Sequence, residues 1–482
     1  MVRVATFFRS RPSQPLMDRH HIYGCLAGAL LAVSTIAPSC AADLLIEHVN
    51  VIPMTPGSDT LVDSTVLIRN GRIESVTPAI DATPARDATR IDARGKWLMP
   101  ALADMHVHLE NDRLMRLYTR DASISTGTVR TEDALLPYVA NGVLQIAVLT
   151  AMPETIAQRI EVETGRALGP HIALAAMIDG APPVWPIGMT RVAANASDGR
   201  QAVRDAAAEG YEIIKAYEKL DLDTFLAICD EASKLNLKVI GHLPQNGKGL
   251  TERFFVPGLG MVAHAEEIAQ QTNPPSLDAI SQYARWMKRS GTWLTSTLTA
   301  DHRILEMISR PETLQSRPEI RYLNARVQRM ALHENPYLRE VTPERIAYVQ
   351  RIVDFNNQLI ATFAREGVPI VAGTDALVPG IVPGFSLHDE LTALAKAGLS
   401  NRQALESATR LPAEWLGTIG DRGIVAAGKR ADLLLLEADP LANIENTRRI
   451  AAVIVGGKLY SRSELHTRLD ALRAASAGKP TP

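Results

Sequence analysis

Four histidines, one lysine and one aspartate each stand at or just after the end of a short apolar run: His106, His108, Lys215, His242, His264 and Asp375. His106 and His108 close Trp97-Leu-Met-Pro-Ala-Leu-Ala-Asp-Met-His-Val-His108. On a strand, period-2 geometry sets both imidazoles on one face and Val107 on the other. Lys215 ends Tyr211-Glu-Ile-Ile-Lys, His242 ends Leu237-Lys-Val-Ile-Gly-His, His264 ends Met261-Val-Ala-His, and Asp375 ends Val368-Pro-Ile-Val-Ala-Gly-Thr-Asp. Imidazole and carboxylate suit Zn²⁺ and similar divalent ions, and six such positions can make a ligand set for two. Two ions bridged by a hydroxide can deliver that nucleophile at neutral pH while one of them polarises a carbonyl. Lys215 is the odd member, because an ammonium has three donors and no acceptor and cannot ligate a cation.

These residues are spread over about 270 positions, so something must gather them. A parallel barrel does this by collecting side chains at the C-terminal ends of its strands. Eight strand candidates can be read: 97 to 107, 143 to 150, 171 to 178, 211 to 216, 237 to 242, 260 to 264, 292 to 298 and 368 to 374. Most alternate with helical patterns at 153 to 167, 198 to 209, 222 to 236, 276 to 290 and 343 to 366. Alternation argues for a parallel α/β architecture, and eight units argue for closure into a (β/α)8 barrel over 97 to 417. Two segments exceed a plain connection: 109 to 135, after the first strand, and 300 to 345, which reads as a helical lid or insertion over the mouth.

Residues 43 to 96 and 418 to 462 have a different character. Short alternating runs such as Leu44 to Ile52, Thr65 to Ile68 and Ile73 to Val76 are punctuated by Asn70-Gly71, a hairpin signal. Ala431 to Leu436 and Ala451 to Tyr460 repeat the pattern, so both chain ends are expected to build one small composite β-sandwich. A C-terminal helix and tail occupy 463 to 482.

The 482 residues are 46% hydrophobic, enough for a large core, and a formal net charge of -2 with mixed signs gives no nucleic-acid stripe. A small-molecule substrate is the expected partner, with a homo-oligomer left open. Arg19-His20-His21 before the apolar run Ile22 to Ala37 and the small residues up to Ala42 read as a secretory signal over 1 to 42. Cleavage is expected near Ala42, with Met17 as an alternative start. The expected location is periplasmic or secreted, with no stable membrane association after cleavage. An anchor through Cys40 or an uncleaved leader is the alternative. Only Cys229 would remain, too few for an internal disulfide.

His106-Val-His108, Ile214-Lys-Ala-Tyr217, Gly241-His242, Ala263-His264 and Gly373-Thr-Asp375 resemble the metal motifs of the amidohydrolase superfamily. The similarity is to the imidazolonepropionase-like branch that includes Xaa-Pro dipeptidase, carboxypeptidase-type and ochratoxin-hydrolysing enzymes, and it runs from about 44 to 462. The resemblance implies a TIM barrel in which His106, His108 and Asp375 hold one ion and His242 and His264 the second. It also implies Zn²⁺ as the metal, N6-carboxylation of Lys215 to bridge the ions, and Asp375 as proton shuttle to the leaving amine. Two stretches depart from the pattern: Pro100-Ala-Leu-Ala-Asp, where relatives have Pro-Gly-Leu, and the second strand, Gly142-Val-Leu-Gln-Ile-Ala-Val-Leu. The metal set is untouched, but the second strand helps line the pocket.

The implied activity is hydrolysis of an amide or peptide-like C-N bond in a small dipeptide or N-acyl amino acid. A lactone, ester, carbamate or phosphoester could be attacked by the same nucleophile, and a catalytically silent binding protein on the same fold is the reading from another class. Tyr217, two residues beyond Lys215, and His302, after the seventh strand, are candidates to touch substrate. His388 reads as a structural residue at a helix start. Lys219, Lys248 and Arg303 are the nearby cations for a substrate carboxylate.

Overall fold

The computed structural model describes residues 43–81, 87–119, 129–186, 188–247, 249–271 and 275–477. The expected leader with its Ala42 cleavage site and Cys40, the candidate Lys248 and the tail beyond 477 lie outside the described residues.

The chain opens with β1 (Leu44–Val51), β2 (Leu61–Arg69), β3 (Arg72–Pro78), β4 (Thr89–Asp92) and β5 (Trp97–Pro100). Asn70 and Gly71 join β2 to β3 with φ of 50° and 75°. A two-residue hairpin turn needs positive φ at both positions, which Asn-Gly tolerates. The barrel strands follow: β6 (Leu102–Val107), β7 (Val143–Val148), β8 (His171–Asp179), the short β9 (Arg191–Val192) beside it, β10 (Ile213–Ala216), β11 (Lys238–Gly241), β12 (Met261–Ala263), β13 (Trp293–Thr295) and β14 (Ile370–Val371). The chain then returns through β15 (Leu433–Leu436), β16 (Ile450–Val455) and β17 (Lys458–Ser461) to the first sheet, whose order is β17-β16-β15-β5-β1-β2-β3 with β4 beside β1. Both chain ends therefore share one sheet, sealed by Ile46, Val49, Val66, Ile68, Leu98, Leu433 and Ile454.

The run 97 to 107, a single strand by its apolar pattern, is divided between the two sheets. Pro100 has no N–H to continue a ladder, and the next amide, Ala101, donates to Asp432 O at 3.0 Å in the end-built sheet. Leu102 then donates to Gly142 O at 2.8 Å and enters the barrel. Hydrophobicity cannot show such a crossing, because both halves are buried.

In the barrel, β6, β7, β8, β10, β11, β12, β13 and β14 run parallel in that order. Closure is made by Met105 N to Ala372 O at 3.0 Å and a parallel bridge between Val107 and Ala376. Ala147, Ala175, Ile213, Ile240, Met261 and Val371 pack as an inner layer with Trp415, and alternate residues such as Ile146, Leu174, Ile214, Val239 and Val262 join the larger core with the helices. Cys229 is buried in that core.

The long segment after β13 is helical, with Leu298–Ser309, Glu312–Gln315 and Ala325–His333 preceding the helix Pro343–Glu366. Its Met307, Leu314, Val327 and Met330 pack with Leu114, Met152, Met189 and Leu377, which come from the loops after β6, β7, β8 and β14. The segment therefore roofs the C-terminal mouth. Asp389 pins it, accepting from Arg317 at 2.7 Å and Arg303 at 3.2 Å in the roof and from Arg448 at 2.7 Å before β16. Among the described residues no helix is long and apolar enough to cross a membrane.

Candidate metal centre

All six sequence candidates stand at the C-terminal ends of barrel strands. His106 lies in β6 and His108 just after it, Lys215 lies in β10, and His242 and His264 directly follow β11 and β12. Asp375 follows β14 and is anchored by donating its amide to His106 O at 2.8 Å. His264 and Asp375 have φ of 71° and 59°. That left-handed conformation costs a non-glycine residue about 1–3 kcal/mol and concentrates at functional positions.

His108 Nε2 lies 3.0 Å and His106 Nε2 3.4 Å from Asp375 Oδ1. His108 Nδ1 meets Thr150 Oγ1 at 2.7 Å, and His264 Nδ1 meets Thr297 Oγ1 at 2.9 Å. His242 Nδ1 sits 2.7 Å from Glu267 Oε1 and 3.4 Å from Glu218 Oε1, at ion-pair distance though the Glu267 contact is not aligned as a regular hydrogen bond. Anchoring Nδ1 in this way leaves Nε2 free to ligate. The His106 ring centroid is 4.3 Å from that of His264, which is 5.0 Å from that of His242.

Charge on such a cluster is strongly disfavoured. Burial first, then the neighbouring Lys215 and imidazoles, hold His106 well below the ordinary histidine value; burial does the same to His264 despite Asp375. Both are neutral, the form that binds metal. His242 goes the other way: burial opposes its protonation, but Glu267 and Glu218 outweigh it. Burial also raises the cost of charging Asp375, yet its hydrogen bond with His108 and the charge of Lys215 hold it at about 2. Burial brings Lys215 down to about 8 against the pull of Asp375, Glu267 and Glu218.

Lys215 is 1% exposed, and its Nζ has no hydrogen-bond partner; His106 Nδ1 is buried and unpartnered as well. Two trios can each bring one ligand atom per residue within 4.8 Å of one another: His106, His108 and Asp375, and Glu218, His242 and Glu267. The neutral imidazoles of His106 and His264, the ionised Asp375 and an orphaned buried amine fit divalent cations. Glu218 and Glu267 join the second trio, while His264 lies between the two.

The sequence profile of the amidohydrolase family matches residues 97–460. The chain belongs to that family. It is 28% identical over 433 residues to an imidazolonepropionase of Idiomarina loihiensis, covering 83% of this chain and 92% of that one. A Xaa-Pro dipeptidase structure with bound methionine aligns with a TM-score of 0.65 at 19% identity, over 87% of this chain and 100% of the other. The ochratoxinase of A. niger gives 0.64 at 19%, over 87% and 96%. At such identities the two structures speak for the fold. The protein is a metal-dependent hydrolase acting on C-N bonds.

Further residues of this amidohydrolase brace the centre without announcing themselves in sequence. Asp104, fully buried, accepts from Thr374 N at 3.0 Å, Thr374 Oγ1 at 2.6 Å and His106 N at 3.3 Å. One carboxylate thus ties the end of β6 to the loop that carries Asp375. Gly373 sits inside this brace, where a Cβ would lie 2.6 Å from Thr295 Oγ1 and 2.8 Å from His106 Cβ. Gly373→Ala is expected to cost about 1–3 kcal/mol by overpacking and to lower metal content, read by thermal unfolding and by metal analysis per chain. Native values for both would show that the loop shifts freely.

Tyr217 is buried with its ring centroid 4.2 Å from that of His242 and 6.0 Å from Lys215 Nζ. His302 is not brought to the cluster: it lies on the helix Leu298–Ser309 and hydrogen-bonds Asn357 of the helix Pro343–Glu366. His388 joins Thr447 Oγ1 at 2.9 Å and Asn141 O at 3.2 Å, a clamp between elements. Arg303 pairs with Glu306 and Asp389, and the Lys219 amide donates to Asp179. Trp185 was not singled out by sequence. Its ring is 5.9 Å from that of His108 and nearly parallel, at 25°. The available signal was a large aromatic inside the turn-rich stretch Ala181-Pro-Pro-Val-Trp-Pro.

Proposed function

We propose that this amidohydrolase is a binuclear enzyme that cleaves an amide or peptide-like C-N bond in a small dipeptide or N-acyl amino acid. The observation carrying this reading is Lys215, a fully buried amine with no hydrogen-bond partner, set among imidazoles and carboxylates. An unpaired buried ammonium is costly; a carbamate formed with CO2 would turn the same position into an anion with two oxygens. His106, His108 and Asp375 would hold the first ion and His242 and His264 the second, with carboxylated Lys215 between them and Zn²⁺ as the metal. Such ions supply an activated water and a Lewis acid for the scissile carbonyl.

The rest falls to the chain. Asp375 is ionised at neutral pH, so its carboxylate is ready to take the proton of the attacking water and pass it to the leaving nitrogen. Tyr217, beside His242, has a hydroxyl to donate to the substrate carbonyl oxygen as charge develops there. The apolar roof over Met152, Met189 and Leu377 limits water around the reacting atoms. Hydrolysis at a C-N bond is supported by the family match and the imidazolonepropionase relative. Export through the leader, with cleavage near Ala42, belongs to the same proposal, as does the absence of any nucleic-acid partner.

The test is mass-spectrometric turnover of pooled dipeptides, N-acyl amino acids, lactones and carbamates by Zn²⁺-loaded protein, with and without chelator. Chelator-sensitive cleavage confined to C-N substrates is expected. Cleavage of esters or lactones alone would move the assignment to those bonds, and no turnover with two ions bound would favour a silent binding protein.

A further inference from the structure

The mouth has an aromatic wall whose central ring, Trp185, the proposed chemistry does not use. Its foundation is Asp179, the last residue of β8 and fully buried. Asp179 Oδ1 accepts from Gly180 N at 2.9 Å and Lys219 N at 2.7 Å, and Oδ2 accepts from Val184 N at 2.8 Å. One carboxylate therefore fixes two loops, one leading to Trp185 and the other following Tyr217. The loops touch at their backbones: a Cβ on Gly180 would lie 2.0 Å from Lys219 O.

Four rings follow from this arrangement. His108 lies 5.9 Å from Trp185, Trp185 6.2 Å from Tyr217 at 82°, and Tyr217 4.2 Å from His242. The rings run from one metal trio to the other along the side of the mouth built by β6, β8, β10 and β11. Trp185 is only partly buried, and it packs against the apolar cluster of Met152, Met189 and Leu377 beneath the roof. A partly buried indole backed by thioethers offers a flat apolar surface between the two trios.

We infer that Trp185 is a specificity-determining residue: with Tyr217 it forms the wall against which the enzyme seats a flat or bulky apolar group attached to the scissile amide. This inference rests on the proposed hydrolysis at this centre. It narrows the substrate class to N-acyl amino acids or dipeptides bearing an aromatic or large aliphatic group, with small acyl groups such as acetyl disfavoured.

The experiment compares Zn²⁺-loaded native protein with Trp185→Ala and Trp185→Phe on matched substrates, N-benzoyl and N-acetyl amino acids and aromatic and glycyl dipeptides, varying one side of the amide at a time. Binding of the same compounds is measured by calorimetry. Loss of the wall is expected to lower kcat/KM for the bulky member of a pair by about ten- to a hundredfold, with less than about threefold change for the small member. Trp185→Phe, which keeps a ring, is expected to retain most of the preference. Equal losses on both members would make Trp185 a structural residue and overturn the inference, as would no loss on either. If the native protein turns over none of these compounds, the hydrolysis reading fails separately. The calorimetric ratio of N-benzoyl to N-acetyl binding then decides the wall: a preference present in the native protein and gone in Trp185→Ala upholds it, and equal ratios overturn it. Melting temperature and metal content per chain check that each variant is folded and loaded.

Discussion

Asp375→Asn is expected to lower kcat by about 10²–10⁴, the usual contribution of a positioned general acid-base group, while both metal ions remain bound. Asparagine keeps the shape of the side chain and one acceptor oxygen, so contact with His106 and His108 can survive. It cannot hold a transferred proton. The native carboxylate suits that proposed task, since its hydrogen bond with His108 at 3.0 Å and the nearby Lys215 charge keep it ionised despite burial. Its left-handed backbone and the hydrogen bond its amide donates to His106 O fix it toward the centre. The decisive measurement is steady-state turnover beside metal analysis of the same preparation. Near-native turnover with two ions bound would remove Asp375 as the shuttle, whereas loss of an ion together with activity would show that its ligand role dominates.

The residues most legible in sequence were those whose chemistry conflicts with their neighbourhood. A histidine, lysine or aspartate at the end of an apolar run has no packing reason to be there, and the parallel barrel brings all six such residues to one mouth. Tyr217 was legible for a related reason, since a two-residue offset from Lys215 on a strand implies a shared face. Residues that brace the centre through polar contacts were not. Glu267 and Thr297 sit in polar stretches where another carboxylate or hydroxyl is unremarked, and Asp104 is separated by 270 residues from its partner Thr374. The crossing at Pro100 and Ala101 was hidden because burial, not strand identity, sets the apolar pattern. His302 shows the opposite limit. Proximity in sequence to a strand end suggested the mouth, but the helix starting at Leu298 turns it toward Asn357.

Lys215 provides the sharpest separation between a stabilising core residue and a functional one. Its amine is buried and without a hydrogen-bond partner, which makes it a liability unless ions are bound. Methionine fills similar space without a polar atom, which removes the desolvation cost of a buried amine that has no hydrogen-bond partner. Metal-free Lys215→Met is therefore expected to melt at or above the native temperature. The metal-loaded state should behave oppositely. Binding to the native state alone stabilises by RT ln(1 + [L]/Kd), so adding Zn²⁺ should raise the melting temperature of the native protein but much less that of Lys215→Met. Changes outside the ligand shell already cost about 10–100-fold in affinity, and loss of a bridging anion should cost more, with turnover falling by at least about 10². The chemistry of that anion adds a second discriminating result. A neutral amine attacks the carbon of CO2 and releases a proton as the carbamate forms, so stripping CO2 before reconstitution should slow recovery of native activity and bicarbonate should restore it, with no such dependence in Lys215→Met. If Lys215→Met takes up two ions with native affinity, the lysine does not bridge them. If uptake is impaired but indifferent to CO2, Lys215 shapes the site as an amine and the carbamate is wrong.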